Sequence, residues 1–390
     1  MLRSRRSNSS HRVLIVDDGE GLWGAQRYMM RLAPFLRDRG YVLGLLSPAG
    51  SDMAAAWTRE GLGATFALEP ADLNLSARDE RGKLALAKVL GAFVRLVRRG
   101  CAIAKVARRF EADVVVANSY WSHFDATFAG RLSGRGVVIY AHEECPSGLP
   151  AVALRFAVRL ASTTIAVSDD VARSIGSRRK VTVVANGVDV VRFSPGPVDQ
   201  SLRRELATSP NEPLVVVLCR LDRPKQVDHV VKAVAGLEGS LGRTQLAIIG
   251  DSTTDRDYAE EVRELGQELL GERVRFFAPR DDVSEVLRCA DLYVLAGRQE
   301  GMPLGILEAQ ATGCPVVAYP AAGVRNSVIA NVSGLLAAPN DWKSLRDQIA
   351  IVLADQKLGE ELASHALEMV RAHFNLTTQA AAVADIFDGL

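Results

Sequence analysis

Short, unpunctuated apolar runs alternate with amphipathic stretches along the whole chain. In the first half the runs are Val13–Asp17, Tyr41–Ser47, Ala64–Leu68, Asp113–Asn118, Val137–His142, Thr164–Ser168 and Val181–Ala185. In the second half they are Leu214–Arg220, Leu246–Gly250, Val274–Ala278, Leu292–Ala296 and Pro315–Ala318. Runs that lack period-2 alternation and are separated by helical patterns predict parallel strands buried on both faces. Two successive series of this kind predict an α/β protein with two doubly wound, Rossmann-like domains. Proline and glycine break the pattern at Arg192-Phe193-Ser194-Pro195-Gly196-Pro197, which puts the expected domains at 13–193 and 194–373. Residues 374–390 read as a closing helix with Ala381, Ala384 and Phe387 on one face.

The length of 390 residues suits two cores rather than one. Residues 1–12 are basic and Ser-rich without the apolar stretch of a secretory signal, and read as a disordered tail. No apolar run approaches the roughly 18 residues of a membrane-spanning helix. The five cysteines are scattered, odd in number and never in CxxC spacing. That pattern predicts a reducing, cytoplasmic setting rather than a disulfide framework or a zinc ribbon. The net charge of +1 hides an asymmetry. Residues 1–195 carry 28 Lys and Arg against 18 Asp and Glu, and residues 196–390 carry 19 against 28. The first half is therefore suited to an anionic partner.

Candidate chemistry sits where strands end. Gly19-Glu20-Gly21-Leu22-Trp23-Gly24 follows the first strand and precedes a helix, so it matches GxGxxG in a context that brings backbone N–H groups to a phosphate. A nicotinamide site would also need an acid closing the second strand, and that strand ends in Ser47-Pro48. An NAD-dependent oxidoreductase using Gly19, Gly21 and Gly24 stays open as an alternative, beside a plain tight turn. In the second half, Gly297-Arg298-Gln299-Glu300-Gly301-Met302-Pro303-Leu304-Gly305 leads from a strand into a helix expected to start near Pro303. Proline suits the first helical turn because its missing N–H has no intrahelical partner there. The N–H groups of Leu304 and Gly305, with Met302 and Pro303 shaping the loop, would form an anion site. Glu300 precedes this helix and Glu308 lies about one turn inside it. Carboxylates only accept hydrogen bonds, so beside a diphosphate they suit hydroxyls. Glu308 is accordingly assigned to a ribose and Glu300 to a transferred sugar. Arg220 and Lys225, on the loop after Leu214–Arg220, can bracket the diphosphate.

Taken together these residues resemble the retaining glycosyltransferases of family four, which have the GT-B fold of two Rossmann-like domains facing each other across a cleft. Glu300 and Glu308 match the family's two glutamates, and Arg220 and Lys225 its phosphate-binding pair. Asn186-Gly187-Val188-Asp189, Ile165-Ala166-Val167-Ser168 and Gly334-Leu335-Leu336 match further segments, and Gly24-Ala25-Gln26-Arg27 resembles the acceptor-side glycine loop. The resemblance implies an acceptor-binding first domain, with Gly21, Gly24 and Ala25 in its acceptor or phosphate loop. It implies a donor-binding second domain and a last helix that crosses back. It further implies same-face transfer from a nucleoside-diphosphate sugar, UDP or GDP, to a hydroxyl acceptor. That acceptor would be a glycan or a lipid-linked one, in cell-envelope or exopolysaccharide synthesis. The family's active-site histidine has its counterpart in His142, which with Glu300 makes the catalytic pair; a core histidine is the alternative reading. Several positions depart from the family: Trp23 and Gln226 stand for glycines, Ala322-Gly323-Val324-Arg325-Asn326 replaces a Gly-Gly-x-Pro-Glu stretch, and Asn118-Ser119 stands where a histidine is often expected.

No DxD-type metal motif ends a strand, with Asp17-Asp18 reading as the end of the first one, so no metal or other cofactor is expected. Lys83, Lys88, Arg95, Arg98, Arg99, Lys105, Arg108 and Arg109 fall in a stretch without an acid. On a helix, Lys88, Arg95 and Arg99 share a stripe nearly opposite Leu86, Leu90, Phe93 and Val97. Lys88, Arg95, Arg98 and Arg99 are therefore candidates to face an anionic membrane surface, with an ordinary solvated helix as the other reading. Nucleic acid is not expected as a partner, because no aromatic interleaving accompanies the charge. A sensor that binds nucleotide sugars without transferring them is the remaining alternative.

Overall fold

The computed structural model describes residues 11–69, 86–145, 148–176 and 180–390. One parallel sheet contains β1 (Arg12–Val16), β2 (Val42–Pro48), β3 (Ala64–Leu68), β4 (Val114–Ala117), β5 (Gly136–Ala141), β6 (Thr163–Ala166) and β7 (Val181–Val183). Their order across the sheet is β3-β2-β1-β4-β5-β6-β7. A second parallel sheet contains β8 (Leu214–Leu218), β9 (Gln245–Ile249), β10 (Val274–Phe277), β11 (Leu292–Leu295), β12 (Val316–Ala318) and β13 (Leu335–Leu336), in the order β10-β9-β8-β11-β12-β13. The runs at the centre of the first sheet are buried on both faces, with Val13, Leu14, Ile15 and Val16 at most 1% exposed, whereas its edge strands β3 and β7 leave Ala64, Thr65, Ala67, Thr182 and Val183 exposed. β13 had no run to announce it. It is two residues long and gains its place only by pairing with β12.

The chain divides into two units, Met1–Ala185 with Ala380–Leu390 and Asn186–Gln379. Residues 1–10 of the expected tail lie outside the described residues, whereas Arg12 is the first residue of β1 and donates from its backbone to Asp113 Oδ2 at 3.0 Å. The helix Leu376–Asp388 is fastened in the first unit by Tyr41, whose hydroxyl donates to the Ala384 carbonyl at 3.0 Å and also meets Asp388. In each sheet the strand order reverses once, between β1 and β4 and between β8 and β11. At such switch points the loops at the carboxyl ends part and leave a crevice.

The basic stripe needs a correction. Lys83 lies outside the described residues, and so do the side chains of Lys88, Leu86, Leu90 and Phe93. Arg95 and Arg98 are exposed on the helix Leu86–Arg109, but Arg99 is only 8% exposed. The inward face carries Ile103, Ala104 and Ala107, each fully buried, and Arg99 lies on it, where it cannot meet a membrane surface. Its Nε pairs with Asp125 at 2.5 Å, and its other nitrogens reach Asp18 and the Glu69 carbonyl. Charge spacing along a helix does not reveal which base a distant carboxylate draws inward. Among the described residues no helix is long and apolar enough to cross a membrane.

Candidate functional site

In the second unit, the loops after β8 and β11 meet at the switch point. Lys225 Nζ donates to Glu300 Oε1 at 2.8 Å, and the Arg298 N–H donates to the Pro224 carbonyl at 3.0 Å. Arg220 pairs with Asp222 at 3.0 Å. Both cations expected to bracket a diphosphate are thus already turned toward a carboxylate. Burial alone would push the Lys225 ammonium down, but the charge of Glu300 and its hydrogen bond outweigh burial and hold Lys225 above the usual lysine range. Glu300 is 9% exposed and Glu308 5%.

The helix after this loop is Leu304–Thr312, and Pro303 occupies its N-cap position with an extended ψ of 118°. Pro303 therefore sits one residue outside the helix rather than in its first turn, a small correction that leaves the N–H groups of Leu304 and Gly305 as the first without intrahelical acceptors. The loop is held from behind. Asn186 donates from Nδ2 to the Met302 carbonyl at 2.9 Å, and its backbone N–H meets Met302 Sδ at 3.2 Å. The Gly323 N–H donates to the Glu300 carbonyl at 2.8 Å, so close that a Cβ at 323 would lie 1.9 Å from the Gly301 oxygen. The stretch that departs from the family therefore forms the helix Ala322–Ser327 and braces the glutamate loop. Gln226, the other departure, takes a left-handed backbone at φ 49°.

In the first unit, Gly24 opens the helix Gly24–Asp38 and is exposed, while Gly21 and Ala25 are half-buried. The loop before that helix turns on a carboxylate. Asp17, fully buried, accepts from the Gly19 N–H at 2.7 Å, from Gln26 Nε2 at 3.0 Å and from Asn118 Nδ2 at 2.7 Å. Burial raises the Asp17 pKa, opposed by the hydrogen bonds from Gln26, Asn118 and Gly19. Asn118 in turn reaches His142: its Oδ1 lies 3.0 Å from His142 Nε2. His142 follows β5 and stacks on Tyr140, with ring centroids 4.7 Å apart and planes 8° apart. Burial and the neighbouring His123 push it down to about 3, so the ring is neutral near pH 7. Sequence reading named His142 but missed Asp17, Gln26 and Asn118 as a group. The signal available was that Asp17 and Asn118 close the two strands flanking the switch point.

His123 supplies a pH test. It is 3% exposed, and burial pushes it down to about 4, against a hydrogen bond to the Tyr140 carbonyl that raises it. An unfolded histidine takes up its proton near pH 6.5, so a depressed native value gives stability that is present above 6.5 and lost as pH falls toward 4. Comparison with His123→Gln isolates this from the carboxylates: between pH 7 and pH 5 wild type loses roughly 2 kcal/mol more than the variant. A difference that stays constant with pH would mean that His123 takes up its proton at the same pH in the fold as in the unfolded chain.

Two doubly wound parallel sheets, each with a crevice at its switch point, define the GT-B architecture. The family description Glycosyltransferase Family 4 matches residues 23–192, and Glycosyl transferases group 1 matches residues 198–369. The chain belongs to glycosyltransferase family 4. HepE from Anabaena, solved in complex with UDP and glucose, shares the fold with a TM-score of 0.82 at 22% identity, over 97% of this chain and 100% of that one. Two relatives are named D-inositol 3-phosphate glycosyltransferase. The one from Nocardia farcinica is 31% identical over 206 residues, covering 50% of this chain and 46% of the relative. The one from Corynebacterium jeikeium is 32% identical over 222 residues, covering 54% of this chain and 52% of the relative. The chain thus spans about half the length of the curated relatives it matches.

Proposed function

We propose that this chain is a retaining glycosyltransferase that moves a sugar from a nucleoside-diphosphate donor, with UDP or GDP as the nucleotide, to a hydroxyl acceptor. The observation that carries the reading is the grouping of Lys225, Glu300 and Glu308 around the N-terminus of the helix Leu304–Thr312 at the β8/β11 switch point. The leaving group gains negative charge as the glycosidic bond breaks. Arg220, Lys225 and the N–H groups of Leu304 and Gly305 offset that charge, and the reading needs no metal to do so. Glu308 accepts from ribose hydroxyls and Glu300 from a hydroxyl of the transferred sugar. Same-face attack lets a donor phosphate oxygen take the acceptor's proton, so no dedicated base is required. The first unit takes the acceptor. Its basic composition and the names of the relatives make a phosphorylated cyclitol the first candidate, with cell-envelope glycans next.

The oxidoreductase reading loses its physical basis at Asp17. A buried carboxylate engages the N–H of the first glycine in the Gly19–Gly24 loop, which opposes a pyrophosphate there. Titration with UDP, GDP, ADP and NAD tests the proposal directly, followed by nucleotide sugars with product configuration read by NMR. A response to NAD alone would favour the oxidoreductase, and donor binding without transfer or hydrolysis would favour a sensor. Glu308→Ala is expected to weaken nucleotide binding about 10- to 100-fold, through loss of a hydrogen bond to a charged acceptor worth roughly 1.5–3 kcal/mol. An unchanged Kd would remove the ribose assignment.

A further inference from the structure

We infer that Asp17 and Asn118 are positioning residues that fix the proton of His142 on Nε2 and leave Nδ1 as a hydrogen-bond acceptor for a sugar hydroxyl. The inference deepens the proposed function and rests on it for the identity of the hydroxyl.

An amide side chain can point its oxygen or its nitrogen at a neighbour, so Asn118 alone leaves the histidine tautomer undecided. Asp17 decides it. The three groups around this carboxylate, the Gly19 N–H, Gln26 Nε2 and Asn118 Nδ2, are all donors, and a carboxylate accepts from each. With Asn118 Nδ2 committed at 2.7 Å to Asp17, its Oδ1 is the atom left to meet His142 Nε2 at 3.0 Å. An amide oxygen only accepts, so the Nε2 atom carries the hydrogen. In a neutral imidazole the other nitrogen then holds the lone pair.

The ring itself is held in place. Tyr140 stacks on it, and Tyr28 meets it edge-on at 6.3 Å between centroids. The elements concerned are those around the first switch point: the loop after β1 carries Asp17, the end of β4 Asn118, and the end of β5 His142. A chain of two hydrogen bonds thus runs from a buried carboxylate to a partly exposed imidazole, and with Asp17 ionised each link has one allowed polarity.

The test uses the full chain labelled with 15N-histidine. Two-bond proton–nitrogen spectra distinguish the two tautomers of the six histidines, and His142→Gln assigns the signal. Wild type is expected to show a protonated Nε2 and a bare Nδ1 at His142. In Asp17→Asn the new amide can donate as well as accept, so Asn118 can turn over. That variant is expected to show a second tautomer, with kcat for transfer down about tenfold and KM for the donor within about twofold of wild type. A bare Nε2 in wild type overturns the inference with no variant needed, and so does an Asp17→Asn protein whose tautomer and kcat match wild type. Absence of transfer from any donor would sink the functional reading while the spectrum still reports the tautomer.

Discussion

Arg99→Met is expected to destabilise the first unit by about 3–5 kcal/mol near pH 7.5, the cost of removing one partner from a buried ionic cluster. Arg99 joins Asp18, which follows β1, Asp125 on the helix Ser122–Ser133 and the Glu69 carbonyl after β3. The cluster is not cheap even when complete. Burial pushes Asp125 up to about 6 although the Arg99 charge and hydrogen bond pull it down, and burial raises Asp18 as well. Without the guanidinium both carboxylates lose their counter-charge and stay buried. An acid whose native pKa is raised disfavours the fold as pH rises past its unfolded value near 4 and regains that loss on acidification. The deficit of Arg99→Met should therefore shrink as pH falls from 7.5 to 5, and adding Asp18→Asn and Asp125→Asn should restore part of it. Thermal melts across that range measure this, and a single variant within 1 kcal/mol of wild type at pH 7.5 would show that the cluster carries no such cost.

Glu300→Gln is expected to lower kcat about 10²- to 10³-fold while leaving the Kd for UDP within about threefold. Two effects combine. The transferred sugar loses an anionic acceptor, and UDP alone has no such sugar to miss it. Lys225 also loses the partner that offsets its burial, so its pKa falls and its charge is lost at lower pH. The alkaline limb of the variant's kcat profile should then move toward neutrality, a shift that loss of a sugar contact alone would not produce. Lys225→Met should impair UDP binding and turnover together, because the diphosphate is common to both. If Glu300→Gln and Lys225→Met weaken UDP binding equally, the division of labour between sugar and phosphate is wrong.

Much of the proposed donor site was legible in the chain. Gly297–Gly305 reads as a strand-to-helix loop because glycine, proline and the run Leu292–Ala296 constrain it locally, and Glu300 and Glu308 follow by spacing. The bracing of that loop was not legible: Asn186 lies 116 residues from Met302, and Gly323 approaches Gly301 only because the helix Ala322–Ser327 packs onto the loop. In the first unit Asn118 read as a missing histidine, whereas in the fold it connects Asp17 to His142.

By itself the sequence determined the parallel strands, the two-domain order and the helix tip proposed to meet the diphosphate, since each depends on residues within a few positions of one another. Tertiary structure decided which polar groups meet. Arg99 faces inward because carboxylates 81 and 26 residues away converge on it, and His142 gains its tautomer from strands that become neighbours only in the sheet. Hydrophobic pattern is a local property of the chain, but a hydrogen bond or ion pair needs both partners, and folding supplies the second.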